Sequence, residues 1–142
     1  MNRIRIVLAM VALLLGAGQA QAQGYVVVVS ASNSVSALKK DRVNAIFLKR
    51  VTRWDDGTAV VPVNLQPSSP TRESFSRAVH GKSVSAIEAN WQQQIFAGRD
   101  APPTQRGSDA EVLAFIRANP GAIGYVSSGA ALGDDVKAVA VN

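Results

Sequence analysis

Cysteine is absent from the 142 residues, which excludes disulfide scaffolds, zinc knuckles, thiol nucleophiles and a lipid-modified N-terminal cysteine. A single histidine, His80, rules out multi-histidine metal sites and leaves one candidate base for any Ser/His/Asp triad. No block of Lys or Arg interrupts the chain, so nothing points to a nucleic-acid partner. No apolar run is long enough to cross a bilayer. Paired carboxylates, a nucleophile elbow and a glycine-rich phosphate loop are all missing, and no cofactor motif is present; the sequence reads as non-enzymatic. What remains is 47% apolar, 18% charged and 6% aromatic, the make-up of a globular chain.

The first segment reads as an address. Arg3 and Arg5 supply a positive start, Ile6 to Leu15 is an apolar run of h-region length, and Ala20-Gln21-Ala22 is a small-x-small cleavage pattern. Residues 1–22 are therefore expected to be a signal peptide, and residues 23–142 one α/β domain, periplasmic or secreted, with no membrane span after cleavage. Loss of the two arginines lowers the net charge from +5 to +3.

Beyond the leader, short strands alternate with helices. Tyr25–Val29 is a continuous apolar run suited to a strand covered on both faces. Helical spacing follows over Leu38–Arg50, with Lys49 and Arg50 placed for the end of the dipole. Trp54–Thr58 is a turn built on Asp-Gly. Ala59–Leu65 is a strand in which Pro62 argues for an edge position or a break in the ladder. Ser69-Pro70 opens a helix that ends at His80-Gly81. The next helix covers Val84–Phe96, with Ser85 and Glu88 at capping-box spacing and Ile87, Trp91 and Ile95 as its apolar stripe. Gly98–Gly107 is a loop, Ser108–Glu111 a capping box, and the helix it opens stops at Asn119-Pro120-Gly121. Ala122–Val126 and Val136–Val141 are the last strands. Strands separated by helices predict a small, mostly parallel sheet flanked by helices.

In such sheets ligands gather beyond the carboxyl ends of the strands, where helix N-termini carry free amides and partial positive charge. Ser68, Ser69, Thr71 and Arg72 meet that description with hydroxyls, amides and one guanidinium in a single turn. Simple helix capping explains the same residues, and Pro70 removes one donor. Ser32 and Asn33, in the polar loop after the first strand, are candidates for the same rim, or form only a polar turn. At Arg106–Asp109 the carboxylate of Asp109 already occupies the dipole. His80 reads as a cap, the Asp55-Asp56 and Asp134-Asp135 pairs as solvated turns, and Trp54, Trp91, Phe47, Phe75, Phe96 and Phe115 as core.

The order of motifs resembles the substrate-binding proteins of phosphate ABC transporters. It runs through Ile46-Phe47-Leu48-Lys49, Trp54–Thr58, Pro62-Val63-Asn64 and Ser69-Pro70-Thr71-Arg72 with Phe75. It continues with Trp91, Phe96-Ala97-Gly98 and Pro102-Pro103, and closes on Pro120–Val126. The resemblance implies one lobe of a type 2 periplasmic binding fold, with the family's Ser-Gly-Thr anion turn falling on Ser69, Pro70 and Thr71. Three departures stand out: Pro70 replaces the glycine, Leu65 stands where the family places an arginine, and the chain has about half the family's length. Two readings follow. One is a periplasmic domain that binds inorganic phosphate or another oxyanion weakly, linked to phosphate uptake. The other is an envelope interaction module without anion binding, partnered by an envelope protein or a second copy.

Overall fold

The computed structural model describes residues 24–142; the expected signal peptide lies outside them. Six strands form one sheet in the order β2-β6-β1-β5-β3-β4. They are β1 (Val26–Ser30), β2 (Ala37–Leu38), β3 (Val61–Leu65), β4 (Thr104–Arg106), β5 (Ala122–Val126) and β6 (Val136–Val141). The helices are α1 (Lys40–Phe47), α2 (Pro70–Phe75), α3 (Val84–Phe96) and α4 (Asp109–Ala118), with a π-helical segment, Ser76–His80, continuing α2.

The valine run does what its pattern predicts: Val27, Val28 and Val29 are at most 1% exposed, sandwiched from both faces. Three of the five strand pairings are parallel, β2 with β6 and β3 with both β4 and β5. β1 is the exception, running antiparallel to β5 and β6, which it separates. This reversal determines which loops share a rim. The carboxyl end of β1 lies beside the starts of β3 and β5, not beside their ends.

One face of the sheet is aromatic. The Tyr125 ring stacks on Phe75 of α2 at 3.9 Å and tilts against Phe47 of α1 at 5.7 Å. The other face receives α4 through a close approach: a Cβ on Gly124 would stand 2.7 Å from Val63 Cγ1 and 2.9 Å from Val112 Cγ1.

Several elements depart from the sequence reading. Leu38 belongs to β2, and α1 ends at Phe47 because Lys49 takes up a left-handed conformation (φ 58°). The loop expected over Gly98–Gly107 contains β4. Pro62 sits inside a strand paired on both sides, yet the ladder tolerates it. Val61 donates to Gly121 O, just before β5 (3.1 Å), so Pro62 turns its donor-less nitrogen the other way, where pairing with β4 begins only at Val63. The cap of α3 is Ser83, whose Oγ accepts from Ala86 N at 3.1 Å, rather than Ser85. The α4 capping box forms at Ser108, but Glu111 reaches one residue further back, to Gly107 N at 2.7 Å. The α3 stripe ends early: Ile87 and Trp91 are buried, whereas Ile95 is 53% and Phe96 87% exposed, against their expected place in the core. Phe115 is only partly buried, its ring 4.9 Å beneath the Arg106 guanidinium.

Candidate functional site

The carboxyl ends of β3, β4 and β5 converge on one rim. The chain leaving β3 turns at Gln66, whose N–H donates to Arg106 O of β4 (3.1 Å), and Ser69 N closes the turn on Gln66 O (3.0 Å). Ser69 is the N-cap of α2, its Oγ accepting from Arg72 N at 3.3 Å, with Pro70 at the first helical position. Capping and rim position therefore coincide in the same hydroxyl. Ser68 is exposed, and Ser69 and Thr71 are half-buried.

Arg72 turns inward from this rim and is only 2% exposed. Its Nη1 donates to Leu65 O (3.3 Å) and its Nη2 to Glu88 Oε1 (2.6 Å). The guanidinium thus stands beside the last residue of β3, the position where the resemblance lacks an arginine, having reached it from α2. A guanidinium out of water needs an anionic partner, and Glu88 provides it. Gln105 Nε2 of β4 lies 3.5 Å from the same carboxylate oxygen.

Beneath the pair runs a buried polar chain. Tyr125 Oη donates to Asn64 Oδ1 (2.8 Å) and accepts from Leu65 N (3.3 Å). Burial pushes the Tyr125 phenol well above its ordinary value, with the Arg72 charge opposing, so it stays a neutral donor. Neighbouring α4 is closed to anions in the way the sequence indicates. The Asp109 carboxylate accepts from Ser127 N (3.2 Å) and from Ser127 Oγ at the end of β5.

Ser32 and Asn33 do not join this rim. Because β1 is antiparallel to β5, the loop after it lies at the opposite end of the sheet, where it lines a cleft of about 570 Å³. That cleft also holds Asp55 and Asp56, whose charges repel an oxyanion. Both loop residues serve local turns, Ser32 Oγ bonding Ser30 Oγ (2.8 Å) and Asn33 Oδ1 accepting from Val35 N (2.9 Å). Asp55 pairs with Arg42 at 2.7 Å, and Asp56 caps the turn through Thr58 N (2.9 Å). Among the described residues no three His, Cys, Asp or Glu side chains are grouped to hold a metal ion.

His80 packs rather than caps. Its Nδ1 is 2.6 Å from Asn44 Oδ1 and its ring meets Phe75 edge-on at 5.6 Å. Burial, then the charges of Arg72 and Lys82, lower its pKa to about 4, so it is neutral at pH 7. Glu88 and Gln105 are site residues that sequence reasoning missed, since their partner is distant in the chain. Asn64 and Tyr125 carried a readable signal: each is a lone polar group in an otherwise apolar strand.

The six-strand mixed sheet flanked by helices among the described residues matches the fold of a periplasmic-binding-protein lobe. The chain belongs to the family described as the PBP superfamily domain, whose model matches residues 19–141. Among solved structures it is similar to an ABC-type phosphate transport receptor from Vibrio cholerae (22% identity, TM-score 0.66, covering 83% of this chain and 46% of that one). It is also similar to a protein described as a phosphate ABC transporter substrate-binding protein, with bound phosphate, from Clostridium perfringens (24%, TM-score 0.66, 83% and 44%). A third is PstS from Borrelia burgdorferi (18%, TM-score 0.64, 84% and 47%). The chain thus spans less than half the length of each of these structures. No curated protein matches it. Among the described residues no helix is long and apolar enough to cross a membrane.

Proposed function

We propose that this PBP-superfamily chain is a non-catalytic oxyanion-recognition domain, phosphate being the first candidate, acting outside the cytoplasm once residues 1–22 are removed. The observation that carries the reading is the Arg72 guanidinium bonded to Leu65 O at the carboxyl end of β3, the strand from which the turn of Ser68, Ser69 and Thr71 leaves. Hydroxyls and a fixed positive charge on one rim are the donors an oxyanion requires. The names of its structural neighbours, two of them phosphate transport proteins, point to the same ligand class and to a role in phosphate uptake.

Affinity should be low for the isolated domain. Ser68 is exposed and Thr71 half-exposed, so an anion there stays wet on one side, and a contact ion pair in water is worth about 1 kcal/mol. A second surface, from an envelope protein or another copy, would raise affinity by excluding that water. The interaction-module reading has less support. Among the described residues the exposed large apolar side chains are Ile95 and Phe96, two neighbours at one helix end rather than a broad face.

Calorimetry of the leader-free protein with phosphate and with sulfate tests the proposal. Saturable heat at millimolar anion is expected, falling in a Ser68→Ala, Thr71→Val double variant. No heat from either anion, or heat unchanged in the variant, would remove it.

A further inference from the structure

The Arg72–Glu88 pair is unequal, and the inequality has a use. The arginine side chain is 3% exposed and the glutamate 34%. Detaching the two therefore costs different amounts on the two sides. A carboxylate one-third in water can be rehydrated where it stands, and Gln105 Nε2, already 3.5 Å from Oε1, is a donor that can keep it. The guanidinium has no such escape, because a buried cation without an anionic neighbour is strongly disfavoured. An anionic neighbour therefore stabilises Arg72, but that anion need not be Glu88.

The position of the pair matters as much. Arg72 follows Thr71 directly, and its Nη1 is bonded to Leu65 O, the carbonyl that begins the Gln66–Ser69 turn. Among the described residues two of its five N–H donors are engaged, one by that carbonyl and one by Glu88. The second, Nη2, is held by the more exposed of the two charged partners, Glu88.

We infer that Glu88 is a displaceable counter-ion: an oxyanion bound at the Ser68–Thr71 turn takes its place on Arg72. This rests on the oxyanion reading above and adds to it a built-in competitor that sets the affinity. Glu88 occupies the guanidinium until a mobile anion outcompetes it, so the resting protein is not left with an uncompensated buried charge. Glu88 acts through Arg72 and need not touch the ligand.

The test is phosphate calorimetry on the leader-free protein and three variants, with folding checked by circular dichroism. Glu88→Gln keeps the shape and removes the charge, and phosphate binding should tighten roughly threefold to tenfold. A merely structural glutamate would give the opposite sign, because losing a buried pair loosens the turn. Glu88→Asp, shorter by one methylene, should tighten binding less and keeps the inference testable if the amide variant does not fold. Adding Arg72→Met to Glu88→Gln should abolish the gain. Heat in Glu88→Gln with none in the parent also supports displacement, since Glu88 then wins in the parent. Parent binding with equal or weaker binding in both Glu88 variants overturns displacement and leaves the oxyanion reading standing. A gain that survives Arg72→Met likewise overturns it. No heat in any protein overturns both.

Discussion

Two residues illustrate how tightly single positions are held. Gly124 lies on β5 where α4 comes closest, and a methyl group there would enter the space of Val63 and Val112 side chains, both fully buried. Gly124→Ala should cost about 1–3 kcal/mol of unfolding free energy, the range for overpacking a close-fitting core, and urea denaturation measures it. His80 gives a pH prediction with a definite sign. Its folded pKa of about 4 lies below the ordinary value of 6.5, so the unfolded chain binds more protons between those limits. Stability must therefore rise with pH across that window and fall as acid is added, by up to about 3 kcal/mol from this group. Thermal melts from pH 4 to 7 should show the slope, and His80→Gln should flatten it. A variant as acid-sensitive as its parent would mean that carboxylates, not His80, set the trend.

At the level of elements, what could be read from the chain was whatever is encoded locally. The valine run of β1, the Ser69-Pro70 start of α2, the Gly81 stop (φ 65°) and the Ser108 cap all appear where short-range chemistry puts them. The errors arise where two local solutions compete. Ser83 and Ser85 can each cap α3, and Ser85 has the better sequence credentials because Glu88 stands three residues on. Glu88 is drawn instead to Arg72, sixteen residues earlier in the chain, which leaves Ser83 as the cap. The contrast is measurable. Ser83→Ala should lower stability by about 1 kcal/mol, whereas Ser85→Ala, on an exposed face, should change it by less than about 0.5 kcal/mol. Equal losses in the two variants would assign the cap wrongly. The same competition explains Ser32 and Asn33: the composition of their loop was legible, but its place depended on the direction of β1, which no local pattern records.

Direction and order belong to the whole molecule. β1, the first strand, pairs only with β5 and β6, the last two, so the middle of the sheet joins chain segments about a hundred residues apart. Contacts of this span carry a loop-closure cost that must be met before any of them is rewarded, so the pairings of β1 are the entropically costly ones in the sheet. The candidate rim depends on those pairings, because β1 pairs with the carboxyl end of β5 at Val126 and Tyr125. β5 carries Tyr125, which stacks on Phe75 of α2 and bonds Asn64 and Leu65, and β1 holds β5 from the other side. Removing β6 should therefore do more than trim an edge. It would strip one flank from β1 and leave β2 with no partner, since β2 pairs with β6 alone. A chain ending at Asp135 is expected to lose its cooperative urea transition and with it any phosphate heat, both read on the same preparation. If the shortened chain still unfolded in one sharp step, residues 24–135 would be able to fold without the flank of β1, and the rim would be independent of this strand order.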